Sequence, residues 1–274
     1  MKINSISLNF GTTRIYKDEK NPSFNPKEPL LVKYTSFFRY GENDEFIVNE
    51  LRKKSGSEPL KILSAGCSYG EEVYSYALAL CDLENKPIIY GIDASQQAIL
   101  GARKGVYMLD TVEQSFLEKG YTGKEYRPKT PYNEMLKKRF NQYFEQINPS
   151  TSQYRRKSDE FYNCSFGCAN ITNIDSMFEE NSQDLILCRM VLYHLSDEDK
   201  KDFFKKAYKL LRPNGMLALE PLGEYSYQNT LLELGFVQPY KEAKNIFVKP
   251  KEDIDVYKYI KDSILNNKSN FNNI

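Results

Sequence analysis

Two patterns of hydrophobic and polar positions alternate along the chain. Short apolar runs of five or six residues, typical of strands buried on both faces of a sheet, stand at residues 60–65, 87–92, 184–189 and 216–220. Longer amphipathic segments, which predict helices, stand at residues 35–54, 70–84, 95–104 and 196–211. Strands and helices in alternation imply parallel strands joined by right-handed crossovers. The sequence therefore predicts an α/β fold: a Rossmann-like, mostly parallel sheet with helices on both faces.

Two further regions add antiparallel structure to this prediction. Aromatic-rich segments at 136–147 and 161–166 flank the turn-like residues 148–152 and predict a small β-subdomain within 136–168. A short helix at 228–234 precedes two segments, 236–240 and 245–249, that predict a closing antiparallel hairpin. The expected organisation has three parts: an irregular N-terminal arm at 1–34, an α/β domain at 35–249, and a C-terminal helix with a disordered tail at 250–274.

The hydrophobic content and the net charge of the chain limit which binding partners are expected. The 274 residues include 41% hydrophobic residues, enough to bury one large core, and the net charge of +1 gives no strong field for nucleic acid or anionic membranes. The basic clusters 137–139 and 155–157 are interleaved with acids, so a solvated charged face is the favoured interpretation. No apolar run approaches the roughly 20 residues of a membrane helix, and no signal peptide is recognisable, which favours a cytoplasmic location.

Cysteine and histidine usage excludes two kinds of site. Five scattered cysteines argue against a disulfide framework, and a single histidine leaves no tetrahedral zinc shell, so no metal is expected.

The loop after the first apolar strand contains residues that indicate which kind of ligand the protein binds. Residues 64–72 read Ser-Ala-Gly-Cys-Ser-Tyr-Gly-Glu-Glu, without the glycine spacing of a dinucleotide fold or the lysine of a phosphate loop. Acids at a helix N-terminus repel phosphate and suit a cationic ligand such as S-adenosylmethionine, which has a sulfonium and an ammonium group. Glu71 and Glu72 alone are equally explained as first-turn acids stabilised by the helix dipole. Asp93, which ends the next strand and can accept both ribose hydroxyls, makes the cofactor interpretation the preferred one.

Five segments occur in the order found in the chemotaxis receptor methyltransferases, and residues 34–223 resemble this CheR family. The segments are Thr35-Ser-Phe-Phe-Arg39, residues 64–75, Asp93 with residues 102–107, Asn170-Ile171, and residues 188–195. The resemblance implies a class I methyltransferase domain at 35–249 that binds S-adenosylmethionine, releases S-adenosylhomocysteine and O-methylates glutamate side chains of chemoreceptors. The sequence leaves the oligomeric state open.

The resemblance also implies roles for individual residues. Arg39 stands beside the methyl-transfer site, and Tyr193 and His194 line the pocket. The implied cofactor-binding residues are Thr35, Arg39, Ala65, Gly66, Glu72, Asp93, Asn170, Ile171, Met190 and Val191. Met190 stands where family members usually have asparagine, so one polar contact to the cofactor is lost. The helical domain with which the family recognises receptors has no evident counterpart in residues 1–34.

The chemistry of the acceptor determines the expected mechanism. A glutamate carboxylate, with a pKa of about 4.3, is ionised at neutral pH and needs positioning and exclusion of water rather than a base. Arg39 suits that task because it presents two donors to a carboxylate. His194 is interpreted either as a pocket residue, which for a hydroxyl or amine acceptor would be a base, or as an ordinary histidine at a strand–helix junction.

Two alternative functions remain open at this point. A methyltransferase of the same fold acting on a small molecule or another protein would account for the short arm and the Tyr193-His194 pair. A non-catalytic regulator that binds S-adenosylmethionine or S-adenosylhomocysteine would account for Met190.

Overall fold

The computed structural model describes residues 35–119, 130–148, 150–157, 161, 163–220, 227–241 and 243–251. The predicted N-terminal arm lies outside these residues, as does the predicted C-terminal helix and tail from residue 252 onward.

Nine strands and seven helices make up the described residues, with two short 3₁₀ helices, Ile171–Ser176 and Leu192–His194. The strands are β1 Lys61–Ala65, β2 Ile88–Asp93, β3 Val106–Met108, β4 Phe144–Asn148, β5 Gln153–Arg156, β6 Cys164–Cys168, β7 Gln183–Cys188, β8 Leu211–Leu219 and β9 Ile246–Val248. The helices are α1 Gly41–Lys54, α2 Glu71–Ala79, α3 Gln96–Lys104, α4 Thr111–Lys119, α5 Pro131–Tyr143, α6 Asp197–Leu210 and α7 Gln228–Glu233.

The main sheet has six strands in the order β6-β2-β1-β7-β8-β9. Every neighbouring pair is parallel except β8 with β9, which closes the sheet in the antiparallel sense. A further antiparallel bridge joins Val237 to Val248, where the closing hairpin was predicted. The α/β fold class and the mostly parallel sheet are thereby confirmed. The carboxyl ends of β1, β2 and β7 meet at one edge of the sheet, where ligands bind in folds of this kind.

Successive apolar side chains along the strands point to opposite faces of the sheet and form a hydrophobic core on each face. Ile62 and Leu185 pack into one cluster, while their neighbours Leu63 and Ile186 pack into the other. The first cluster is covered by α1 to α5 and the second by α6, α7 and the 3₁₀ helix Ile171–Ser176. Helices therefore lie on both faces of the sheet, as the pattern predicted.

A second sheet of three antiparallel strands has the order β3-β5-β4. Strands β4 and β5 pair as a hairpin with Asn148 opposite Gln153, but the segments predicted to form it are only partly strands. Residues 136–143 belong to α5, which Thr130 caps by accepting a hydrogen bond from the Asn133 backbone. Cys164–Cys168 pairs with β2 in the main sheet rather than with the hairpin. The boundaries of the predicted subdomain stay a prediction.

Helix α1 begins at Gly41 rather than at Thr35 or Ser36. Phe38 has a φ of 53°, outside the right-handed helical region. Its backbone N–H donates to the Ser75 hydroxyl at 3.0 Å, and that of Phe37 donates to Glu113 at 2.8 Å. The residues before Gly41 therefore form a separate turn, held by side chains that lie far along the chain.

Candidate active site

The loop after β1 lies directly against the residues that follow β7. The backbone N–H groups of Gly66 and Cys67 both donate to the Ile92 carbonyl, at 2.8 and 2.9 Å. Gly66 has a φ of 85°, and a Cβ there would lie 2.2 Å from Val191 Cγ2. Only glycine satisfies both the conformation and the space. At Gly66 the loop is therefore packed against the segment after β7, with no room for a larger side chain.

Asp93, at the carboxyl end of β2, is held by the backbone of two loops. Its Oδ2 accepts from the Ser68 N–H at 2.9 Å and its Oδ1 from the Ser95 N–H at 2.8 Å. Each carboxylate oxygen has a second lone pair, so both can still accept hydrogen bonds from a ligand. The side chain is half-buried, which suits a vicinal diol such as a ribose.

The two acids that open α2 have different surroundings. Glu71 is fully buried and accepts from the Thr35 hydroxyl at 3.2 Å. Glu72 Oε1 accepts from the Ser64 hydroxyl at 2.7 Å, and its Oε2 lies 3.5 Å from Arg189 Nη1. Burial raises the pKa of Glu72, and Arg189 and the Ser64 hydrogen bond oppose that rise. Both acids are in the first turn of the helix, and each also makes specific contacts outside it.

Arg39 belongs to the turn that precedes α1. Its guanidinium carbon lies 5.4 Å from the centre of the Tyr40 ring. The Arg39 charge also acts on Glu72, where it opposes the burial-driven rise in that residue's pKa. The turn thus brings Thr35 and Arg39 to the two acids at the start of α2.

Arg189 is the residue that the sequence analysis missed. Its Nη1 donates to Asp44 Oδ1 at 2.7 Å and its Nη2 to the Tyr76 hydroxyl at 2.9 Å. The guanidinium also lies 4.4 Å from the centre of the Tyr40 ring. The signal was available, because an arginine directly follows the apolar strand β7 and a buried charge requires partners.

Asn170 and Ile171 lie beside Asp93, immediately beyond β6. The Ala169 N–H donates to the Asp93 carbonyl at 2.9 Å, which continues the pairing of β6 with β2. Asn170 caps the following 3₁₀ helix by accepting from the Thr172 N–H at 3.0 Å, and Ile171 is buried. These residues extend the same edge of the sheet.

The segment after β7 supplies the remaining predicted residues. Met190 has a φ of 59°, and its backbone opposes the burial-driven rise in the pKa of Glu220 at the end of β8. Tyr193 and His194 lie on the 3₁₀ helix Leu192–His194 with ring centres 4.1 Å apart, and both side chains are exposed. Their predicted place in a pocket, like the other predicted roles, stays a prediction.

The predicted residues thus fall into three groups. The first group contains the loop residues Ala65 and Gly66, which lie against Val191. Ser68 of the same loop donates to Asp93, and Asn170 and Ile171 lie beside Asp93. The second joins Thr35 and Arg39 to the acids of α2. The third is the exposed pair Tyr193 and His194. The first two groups fit S-adenosylmethionine, since they offer a close glycine backbone, an acceptor for ribose hydroxyls and carboxylates for cationic groups.

Comparison with known proteins agrees with this geometry. Residues 33–139 match the family model described as the CheR methyltransferase SAM-binding domain. This part of the chain is therefore similar to a CheR-type SAM-binding domain. Residues 132–219 match a second model, described as a methyltransferase domain. Both models describe methyltransferase domains, which agrees with the α/β architecture.

The curated relatives have low sequence identity to this chain. A probable biofilm formation methyltransferase WspC of Pseudomonas putida is 25% identical over 80% of this chain and 48% of its own. Chemotaxis protein methyltransferase 1 of Pseudomonas aeruginosa is 29% identical over 63% of this chain and 58% of its own. The chain therefore spans about half the length of the curated relatives it matches.

A solved structure, a putative sarcosine dimethylglycine methyltransferase from Galdieria sulphuraria, covers 73% of this chain and 63% of its own. It has 16% identity and a TM-score of 0.42. Within the described part of the chain, every helix is too short or too polar to cross a bilayer.

Proposed function

We propose that this protein transfers the methyl group of S-adenosylmethionine to a glutamate carboxylate on another protein. The observation that carries the proposal is the contact of Gly66 with Val191, because it joins the β1–α2 loop to the end of β7 beside Asp93. A loop this close to the neighbouring strand end gives an adenosyl ligand backbone groups on one side and the Asp93 carboxylate on the other.

S-adenosylmethionine supplies an electrophilic methyl group on a positively charged sulfur. In the proposed complex Asp93 accepts hydrogen bonds from the ribose hydroxyls, and Asn170 and Ile171 contact the adenine. Glu72 balances the ammonium group of the methionine part. These roles use the half-buried Asp93 carboxylate, which two backbone N–H groups orient, and the Glu72 carboxylate, which Ser64 orients.

The acceptor carboxylate needs orientation rather than deprotonation. It is already ionised at neutral pH, so one of its oxygens attacks the methyl carbon directly as the carbon–sulfur bond breaks. Arg39 is proposed to hold the second oxygen through its guanidinium group. The turn that carries Arg39 is held through the Phe37 and Phe38 backbone, which favours a preorganised arginine.

A protein acceptor is supported by the printed names of the relatives. Five of them are named chemotaxis protein methyltransferase, and two are named probable biofilm formation methyltransferase WspC. A receptor-like protein is therefore the proposed substrate, and methylation of its cytoplasmic region would place the enzyme in the cytoplasm.

The test is transfer of a labelled methyl group from S-adenosylmethionine to chemoreceptor-rich membranes. We expect a protein-bound label that is released as methanol by mild base, since a glutamate methyl ester is hydrolysed under those conditions. Arg39→Ala is expected to lower kcat/KM about tenfold or more, because a hydrogen-bonded charge pair is lost. Lys205→Ala, at an exposed lysine on α6, is the matched control. A label that resists base would exclude the carboxylate acceptor.

A second candidate, methylation of a hydroxyl or amine of a small molecule, is favoured by Glu220. It follows β8 at the carboxyl end of the sheet, where burial raises the pKa of its carboxyl group and the Met190 backbone opposes that rise. A carboxylic acid of this kind suits a general base and would repel an anionic acceptor once ionised. A base-stable product, lost in Glu220→Gln, would support this candidate over the first.

A further inference from the structure

A buried ion cluster joins α1, α2 and the end of β7. Arg189, whose side chain is 2% exposed, contacts Asp44, whose side chain is 10% exposed, and Glu72. The Tyr76 hydroxyl donates to the same Asp44 oxygen at 2.7 Å and accepts from Arg189 at 2.9 Å. Three charges are thus held together away from solvent.

Arg189 is shared unequally between the two acids. Its Nη1 lies 2.7 Å from Asp44 Oδ1, the distance of a charge-assisted hydrogen bond, and 3.5 Å from Glu72 Oε2. Asp44 is therefore the principal partner of the arginine. Burial acts to lower the pKa of Arg189, but the neighbouring acids and tyrosines raise it well above its usual range, so the guanidinium stays charged.

The charges of the cluster do not cancel. Within the cluster, one arginine and two ionised carboxylates leave one surplus negative charge, which the distances assign to Glu72. Arg39 acts on that charge from outside the cluster. A low-dielectric surrounding makes such a charge costly unless a cation approaches it. The ammonium group of the proposed cofactor is a cation of the required kind.

We infer that Arg189 is a positioning residue for Glu72. Because Arg189 is paired with Asp44, it orients the Glu72 carboxylate without neutralising it. The Glu72 carboxylate thus stays available to a cationic ligand. The inference rests on the proposed function and deepens it, since it explains how the acid at the start of α2 is prepared. It assigns Asp44 to the same unit, although that residue lies on α1.

Changes to the two partners are expected to move the ionisation of Glu72 in opposite directions. Arg189→Gln removes the cation that opposes the burial-driven rise, so the pKa of Glu72 goes up. Asp44→Asn removes a like charge and frees Arg189 to pair with Glu72, so that pKa goes down. The titratable and charged groups that act on Glu72 are Arg39, Tyr40, Asp44, Cys67, Tyr76, Cys188 and Arg189.

The experiment is calorimetric titration of the full chain with S-adenosylhomocysteine between pH 5 and 7.5. In the wild type we expect affinity to rise with pH as Glu72 ionises. Arg189→Gln is expected to shift the midpoint of this rise to higher pH, and Asp44→Asn to shift it to lower pH. At pH values at which Glu72 is ionised in the wild type, each of these two variants is expected to bind S-adenosylhomocysteine about tenfold more weakly. A loss of this size is typical of a misplaced charged hydrogen bond. Arg189→Lys partly restores the wild-type profile, and Glu72→Gln removes the pH dependence.

A purely structural arginine would give a different result. Asp44→Asn would then lower the melting temperature but leave the pH midpoint where it is in the wild type, and this outcome overturns the inference. If Arg189→Gln does not fold, Asp44→Asn decides the question. Absence of any binding to the wild type would contradict the proposed function itself, which separates the two failures.

Discussion

Replacement of Gly66 by alanine tests how closely the loop after β1 approaches the end of β7. Gly66 combines a φ of 85° with a site where a Cβ would lie 2.2 Å from Val191 Cγ2. Alanine in the left-handed region costs roughly 1–2 kcal/mol. Displacement of Val191 to admit the methyl group adds about 1–3 kcal/mol, the usual range for overpacking. We therefore expect Gly66→Ala to lower the free energy of unfolding by roughly 2–5 kcal/mol.

Two further variants separate the cost of backbone strain at Gly66 from the cost of displacing Val191. Gly167→Ala is the matched control, because a Cβ at Gly167 meets nothing closer than 3.9 Å. It is expected to change stability by less than about 0.5 kcal/mol. The pair Gly66→Ala/Val191→Ala removes the closest contact and keeps the backbone strain. A double-mutant cycle should therefore show a favourable coupling of about 1–2 kcal/mol between the two positions.

Urea unfolding and titration with S-adenosylhomocysteine measure the two consequences. The Gly66→Ala variant should lose both stability and affinity, and the double variant should recover part of each. If Gly66→Ala unfolds and binds as the wild type does, the loop does not approach Val191 in solution. The proposed position of the cofactor would then have no support from this contact.

Two other predictions concern elements around the site. Burial acts to raise the pKa of Asp82, but hydrogen bonds from Arg52 and Arg139 lower it to about 2. The resulting stability is present above the usual carboxyl pKa and is lost as pH falls towards 2, so Asp82→Asn should destabilise the protein at neutral pH but not at pH 2. The half-exposed side chain limits this loss to under about 1 kcal/mol in urea unfolding. Glu113, which is 2% exposed, accepts from the Phe37 and Asp110 N–H groups. Glu113→Ala removes the acceptor of these two N–H groups and should lower the free energy of unfolding by about 1–3 kcal/mol. It should also reduce methyl transfer, because the Phe37 backbone holds the turn that carries Arg39. Unchanged unfolding and unchanged kcat/KM would contradict this role.

The parts of the fold that depend on local pattern were predictable from the sequence. Apolar runs and their flanking caps, such as Ser95 before α3 and Ser196 before α6, determine the alternation of strands and helices. The loop from Ser64 to Glu72 and the acid Asp93 follow directly from the ends of two such strands. They could be predicted because each signal lies within a few residues of its strand.

The parts that depend on contacts far along the chain were not predictable in the same way. Arg189 and Asp44 are 145 positions apart, and nothing near either residue indicates the other. The segment Cys164–Cys168 reads equally well as a hairpin strand or an edge strand, and only its pairing with β2 decides between them. The turn before α1 has helical periodicity, but hydrogen bonds to Ser75 and Glu113 override it.

The central claim is that the edge of the sheet at Asp93 binds the adenosyl cofactor. Its most direct test is titration of the wild type and of Asp93→Asn with S-adenosylhomocysteine. We expect saturable binding of one molecule per wild-type chain and an affinity lower by about tenfold or more in the variant, because charged hydrogen bonds to the ribose weaken. No binding to the wild type, or equal binding to both proteins, would contradict the claim.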